Sequence, residues 1–227
     1  MVLKPDPIAL WAIPVSDLAG VARHTIDVAN CGVPGWRLVF LTPPGDLPRE
    51  LRAVGAAVIE QPFGPEAGLR ASVATLRHVV RTLRPQVLHT HLAYADVVAA
   101  LPLGKHRPRL VTTEHGIARD DIVYHQSARK VRIMEEVHHA RLRRFDTAIA
   151  VSQATADAMQ DKWRPSRPST VIPNGITAPS RVPKQPGLRI LSLARLAPEK
   201  RLDALLEGFA LLTKDHPDAR LTLAGKG

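Results

Sequence analysis

The sequence predicts an α/β protein: a doubly wound parallel sheet of the Rossmann-like kind, followed by the start of a second such domain. Three observations predict it. Short β-rich runs alternate with longer segments of helical period. Several of those runs are continuously apolar, as strands covered on both faces are. The 227 residues are 45% hydrophobic, an ordinary globular fraction that excludes wholesale disorder.

The elements follow in order. Strands are predicted at Ile8–Ile13, Trp36–Leu41, Ala56–Glu60, Gln86–His89, Arg109–Thr113, Thr147–Val151 and Thr170–Ile172, and then at Leu188–Leu193 and Arg220–Ala224. The first is followed by a loop with Gly20 and a helix running towards Asn30. In Glu66–Leu83, Leu69, Val73, Leu76, Val80 and Leu83 recur at spacings of three and four, one face of a helix. Leu202, Leu205, Leu206, Phe209 and Leu212 do the same in Glu199–Thr213. The stretch 176–187 has Pro179, Pro183 and Pro186 and no periodicity, and reads as a linker. The predicted organisation is therefore a domain over 1–175, a linker over 176–187, and in 188–227 the first βαβ of a truncated second domain. Two strands and a helix cannot bury both faces of a parallel sheet.

Composition narrows the function classes. One cysteine, Cys31, excludes a disulfide framework and a Cys-rich zinc module. No apolar run reaches the roughly 18 residues of a membrane span, so a cytoplasmic protein is expected, with peripheral contact at the inner face of an anionic membrane. The formal net charge is +10, and residues 105–144 hold ten Lys/Arg against five Asp/Glu. Such a patch suits nucleic acid, anionic lipid or a phosphorylated substrate, or decorates a solvated face. Few aromatics accompany it, so nucleic acid is not the expected partner.

Ligands of open α/β sheets sit outside the carboxyl ends of the strands, so the loops there hold the candidates. Gly20 opens the first helix, where backbone N–H groups could approach a phosphate; alternatively Asp17 caps that helix and Gly20 eases packing. His89 and His91 share a strand face, and His115 follows the next strand. The three admit a metal site, recognition of a sugar or phosphate, or one buried strand histidine with the others exposed. His138 and His139 fall on a helix among arginines, on a solvated face. Asn174-Gly175 is a turn signal of positive φ. Arg195 follows a strand and Lys200 opens a helix; two cations there make sense around an anion such as a diphosphate.

The motifs together resemble the family 4 glycosyltransferases of GT-B architecture. Val87 to His91 is similar to that family's strand ending in histidine, Thr112 to Gly116 to its T-x-H-G loop, and Asp146 to Thr155 to its D-x-x-I-A-V-S-x-A-T segment. Val171 to Gly175 resembles V-I-P-N-G, and Ala194 to Lys200 resembles G-R-L-x-x-E-K. The resemblance implies retaining transfer of a sugar from a nucleotide diphosphate sugar, with no obligatory metal or other cofactor. It implies that Arg195 and Lys200 hold the donor diphosphate and that His115 faces the transferred sugar. Gly20, His91, Asn174 and Gly175 would then line donor or acceptor loops, and the basic 105–144 segment would dock an acidic or lipid-linked acceptor. The pattern departs at Ala19, Ala194 and Arg201, where the family often has glycine. The family's downstream donor-binding glutamates have no counterpart, which implies little or no transfer by this chain alone. Two other functions compete: a metal-dependent hydrolase on His89, His91 and His115, and a non-catalytic basic binding module.

Overall fold

The structure is a computed structural model and describes residues 6–116, 128–176 and 187–225. The chain divides into two compact units, Met1–Thr177 and Ala178–Gly227. The first contains β1 (Ile8–Ala12), α1 (Gly20–Cys31), β2 (Arg37–Thr42), α2 (Asp46–Ala53), β3 (Ala57–Glu60), α3 (Gly68–Leu83), β4 (Val87–His91), α4 (Ala93–Ala100), β5 (Arg109–Glu114), α5 (Ala128–Leu142), β6 (Thr147–Ala150), α6 (Gln153–Trp163) and β7 (Thr170–Val171). Its seven strands lie in the order β3-β2-β1-β4-β5-β6-β7, every pair parallel. The order reverses between β1 and β4. That is the switch point of a doubly wound sheet, where the connections diverge and leave a crevice at the carboxyl edge.

Strand periodicity sends alternate residues of β1 into two cores. Ala9, Trp11 and Ile13 pack with Ala22, Leu47 and Leu51 under α1 and α2. Leu10 and Ala12 pack with Val73, Leu76, Val80, Ala95 and Val98 under α3 and α4. Both faces being dry is why these strands read as unbroken apolar runs. Leu10, Phe40, Leu41, Leu76 and Leu88 are essentially fully buried, each contributing about 1.5–3 kcal/mol of transfer free energy. A third cluster of Leu142, Ala150, Met159 and Trp163 joins α5 and α6 to β6. Ser152 caps α6, its hydroxyl accepting from Thr155 N–H at 3.1 Å.

The second unit contains β8 (Arg189–Leu193), a 3₁₀ turn (Pro198–Lys200), α7 (Leu202–Asp215) and β9 (Arg220–Ala224). β8 and β9 pair in parallel as a two-stranded sheet. Leu191 is 65% and Leu193 78% exposed, so this sheet leaves apolar surface uncovered. Sequence places a single helix over Glu199–Thr213, but the chain first makes the 3₁₀ turn and then a left-handed residue, Arg201 (φ 48°), before α7 begins. Lys200 therefore closes the short turn instead of opening the helix. Apart from its end residues, the proline-rich linker lies outside the described residues.

Candidate functional site

The carboxyl ends of β4 and β5 carry two polar layers, one on each face of the sheet. Alternation along Leu88-His89-Thr90-His91 sends both histidines to the α1 face, beside Trp11 of β1, and sends Thr90 to the α4 face.

On the α1 face, three imidazoles gather around Trp11, and a fourth, His115, joins them through His24 and His91. The Trp11 ring lies 4.4 Å from that of His89, 4.7 Å from His91 and 5.9 Å from His24, which comes from α1. His91 Nδ1 and His115 Nε2 share a hydrogen bond at 2.9 Å. His89 Nε2 is bonded instead to Thr113 Oγ1 at 2.8 Å. His24 stands edge-on to His115 at 5.1 Å and lies 5.8 Å from His91. Burial, reinforced by the neighbouring imidazoles, lowers the pKa of His89 to about 3, His115 to about 4 and His91 well below its ordinary value. Burial also lowers His24, against the pull of Asp27. All four rings are thus neutral at pH 7, each with one N–H and one lone pair. Two buried ring nitrogens, His24 Nδ1 and His91 Nε2, have no partner among the described residues.

On the α4 face lies an internal ion network. Asp96, fully buried in α4, accepts from Thr90 Oγ1, from Thr112 Oγ1 at 2.8 Å and from Arg141 Nη1. Arg141 Nη2 pairs with Glu114, and its Nε donates to His138 Nδ1 at 2.9 Å. The guanidinium also lies over Trp163, 5.1 Å from the ring centroid, with His138 stacked on the same ring. Burial pushes Glu114 up to about 7 and Arg141 down to about 9, and their pairing opposes both shifts. Glu114 precedes His115 directly, so this network holds the base of the histidine loop. Between the layers, Leu92 has φ 70° and ψ 147°, a conformation costly for a residue with a β-carbon, where the chain leaves β4 for α4.

Several sequence expectations are corrected. The histidine trio that converges is His24, His91 and His115, not His89, His91 and His115, because Thr113 engages His89. His91 ends β4 fully buried; it supports the His115 loop from below and is not itself a loop residue. Gly20 starts α1 after Ala19, and no side chain caps that end, Asp17 included. A β-carbon at Gly20 meets nothing within 4 Å, so the glycine relieves no packing. Asn174 and Gly175 are exposed in irregular chain after β7, and neither has the positive φ expected of the turn. His138 and His139 do not face solvent: one stacks on Trp163, and Nδ1 of the other bonds Trp163 O at 2.9 Å.

The basic segment is not one face. Arg141 is buried in the ion network, and Arg119 lies outside the described residues. Lys105, Arg107, Arg143 and Arg144 are exposed near the starts of β5 and β6, the amino edge of the sheet and the opposite edge from the histidines. Arg195 and Lys200 are exposed in the second unit, in the segment between β8 and α7. Sequence reasoning missed His24, Asp96 and Arg141. His24 lies on the α1 stripe with Val21 and Val28, at spacings of three and four, which is the signal that marks it as inward-facing.

Beside the histidines, the carboxyl edge of β1, β2 and β3 forms a cleft of about 390 Å³. Pro14, Pro44 and Phe63 make it apolar, while Ser16, Asp17 and Glu66 supply its polar groups. Among the described residues no helix is long and apolar enough to cross a membrane.

Comparison with solved structures supports the architecture. Anabaena Alr3699/HepE, solved in complex with UDP, superposes with a TM-score of 0.67 at 21% identity, over 89% of this chain and 57% of that one. A glycosyltransferase from Rickettsia africae gives 0.67 at 18% identity, over 98% and 61%. Sucrose-phosphate synthase from Thermosynechococcus elongatus gives 0.61 at 16%, over 98% and 71%. The chain thus spans little more than half the length of the first of these. At such identities the likeness is one of fold, the GT-B glycosyltransferase fold. Comparison with curated protein sequences gave no match. The sequence profile described as Glycosyltransferase Family 4, however, matches residues 18–178, more than half of the chain and nearly the whole of the unit that carries the histidines. With α1, the strands β2 to β7 and the His115 loop inside that match, the chain belongs to glycosyltransferase family 4.

Proposed function

We propose that the chain takes part in retaining transfer of a sugar from a nucleotide diphosphate sugar to an acceptor. The observation that carries this reading is His115, a neutral, half-buried imidazole at the switch-point edge. Its Nε2 is fixed by His91, which sets the ring's direction, and a neutral ring can donate to or accept from a sugar hydroxyl. Its neutrality also matters for the chemistry. A cationic group beside the anomeric centre would oppose the positive charge that develops there as the leaving group departs.

In this reading Arg195 and Lys200 meet the donor diphosphate and stabilise the charge it gains on departure. The uncapped start of α1 at Gly20 offers backbone amides to a phosphate or an acceptor hydroxyl. Asn174 and Gly175 stay assigned to the donor or acceptor loops. The acceptor is assigned to the first unit, in the cleft beside β1 to β3. The carboxylates of Asp17 and Glu66 there suit hydroxyl donors or an amine better than an acidic group. The exposed arginines of the amino edge, opposite this cleft, are assigned to peripheral contact with an anionic surface and not to the acceptor's reacting end.

The test is donor binding. UDP titrated into the chain and followed by ligand-observed NMR should bind, and Arg195→Ala and Lys200→Ala should each weaken binding about tenfold, the loss of one charge-assisted phosphate contact. UDP and other nucleoside diphosphates binding equally to wild type and both variants would refute the assignment.

A further inference from the structure

We propose that the cavity between the C-terminal half of α3 and the segment leading into β5 binds a multiply charged phosphate group, that of a diphosphate or a phosphorylated headgroup. The cavity encloses about 560 Å³, and Arg77, Arg81, Arg84, Lys105, His106 and Leu103 line it, with no carboxylate among the described lining residues. It lies at the amino edge of the sheet, beside the starts of β4 and β5, whereas the histidines stand at the carboxyl edge.

Charge is the first argument. Arg77, Arg81 and Arg84 follow one another at spacings of four and three, so α3 and its C-cap present them on one side. Like charges one turn apart oppose the helix that carries them. The helix dipole accounts for Arg81 and Arg84, in and just after the last turn, where cations are favoured. It accounts neither for Arg77, more than a turn earlier, nor for Lys105, which comes from another segment. Acidic neighbours in the sequence do not balance them either. Between residues 67 and 113 the only Asp or Glu is Asp96, which is buried and paired with Arg141. An anion held among the four cations supplies the missing counter-charge.

Two hydrogen bonds fix the walls. Arg77 Nε donates to Pro102 O at 2.8 Å, and His106 Nε2 donates to Pro85 O at 2.7 Å. Together they tie α3 and its exit to the segment before β5, on either side of the cavity. The first spends one of the five donors of the Arg77 guanidinium and fixes the plane of the others. Gly104 (φ 114°) takes a conformation that favours glycine where the segment passes the cavity.

The lining also selects the ligand. Guanidinium forks engage phosphate oxygens two at a time, and the lysine adds a point charge. Leu103 is the one apolar side chain among the described lining residues, and no aromatic ring accompanies it, so a nucleobase finds no stacking surface. Recognition therefore runs through the phosphates. The cleft at the carboxyl edge carries Asp17 and Glu66 and suits the opposite charge, so this anion is not the acceptor assigned there. The inference rests neither on sugar transfer nor on the donor assignment.

The test uses the full chain carrying Arg195→Ala and Lys200→Ala, so that the assigned donor site contributes nothing. Pyrophosphate, titrated by isothermal calorimetry at constant ionic strength, should bind at a single saturable site. Arg81→Gln and Arg84→Gln should each weaken it about tenfold, the loss of one charge-assisted contact. Both positions are exposed, and circular dichroism checks that the fold is kept. Arg70→Gln, at an exposed position of α3 outside the cavity, should change nothing. Phosphatidylcholine vesicles with and without phosphatidic acid then identify the source. Displacement of pyrophosphate by the phosphatidic acid vesicles alone assigns the site to a lipid headgroup, and no displacement assigns it to a soluble phosphate ester. No saturation by about 10 mM pyrophosphate, or binding indifferent to both arginine variants, would overturn the proposal.

Discussion

Replacing Arg141 by methionine tests the ion network most directly. The side chain is 1% exposed and bridges two carboxylates, Asp96 and Glu114, that are 0% and 7% exposed. Methionine keeps most of the apolar stem, so packing against Trp163 is largely retained while the charge is lost. Removing one partner of a buried ion pair typically costs about 3–5 kcal/mol, because the other charge stays behind uncompensated. Asp96 then keeps only its two threonine donors. Glu114, already pushed up to about 7, relieves its share by taking a proton, so the loss should be largest near pH 8 and smaller near pH 6. For the 177-residue unit an unfolding entropy of about 0.37 kcal/mol/K converts 3–5 kcal/mol into a fall in Tm of about 8–13 °C. Calorimetry at pH 8 and urea denaturation on the same samples provide the assay. Arg143→Met, at an exposed neighbour, should shift Tm by less than about 2 °C. A loss under about 1 kcal/mol at pH 8 would show that the network contributes no more than a surface pair, and the reasoning would fail.

Three further outcomes are expected. Acidification from pH 6.5 to 4.5 should destabilise the protein. His89, His91 and His115, with folded pKa values lowered below 6.5, take up protons mainly on unfolding, whereas Glu114, raised to about 7, is already protonated when folded. The balance of two extra protons in the unfolded chain gives a loss of about 2.7 kcal/mol per pH unit, and Glu114→Gln should steepen that slope by about half; stability flat or rising on acidification would contradict it. Ser152→Ala removes the α6 cap and should cost about 1 kcal/mol in urea denaturation, with no change in fold by circular dichroism. Charge reversal of Arg143 and Arg144 together should reduce co-sedimentation with anionic vesicles at low salt, and unchanged binding would remove the amino edge as a docking face.

The sheet was legible because its strands are dry on both faces: Ile8–Ala12 and Arg37–Thr42 announce themselves as short apolar runs whatever their neighbours do. β4 was predicted to stop at His89 because polar residues follow, yet it continues to His91, where the hydrogen bond to His115 satisfies one ring nitrogen of an otherwise sequestered side chain. Part of the site was legible too. Two histidines two apart on a strand, and a third after the next strand, must approach one edge of a parallel sheet. The contribution of α1 depends on how that helix rotates against β1, which loop chemistry did not settle. The ion network was invisible for a different reason: Arg141 lies 45 residues from Asp96 and 27 from Glu114, and in sequence it is one more arginine in a basic stretch. Only burial distinguishes it from Arg143 and Arg144.

The alternation along β4 and β5 has a consequence for how the chain finds its structure. The purely apolar strands are poor arbiters of alignment, since a shift of one residue exchanges one aliphatic side chain for another. At the carboxyl ends of β4 and β5 the same slip would drive His89 and His91 against Asp96 and the Arg141 guanidinium, and would turn Thr90, Thr112 and Glu114 towards Trp11. Both sides of the sheet would then hold unmatched polar groups at once. The residues that equip the edge for chemistry therefore also act as an alignment key, rejecting the one-residue slips that the apolar strands tolerate.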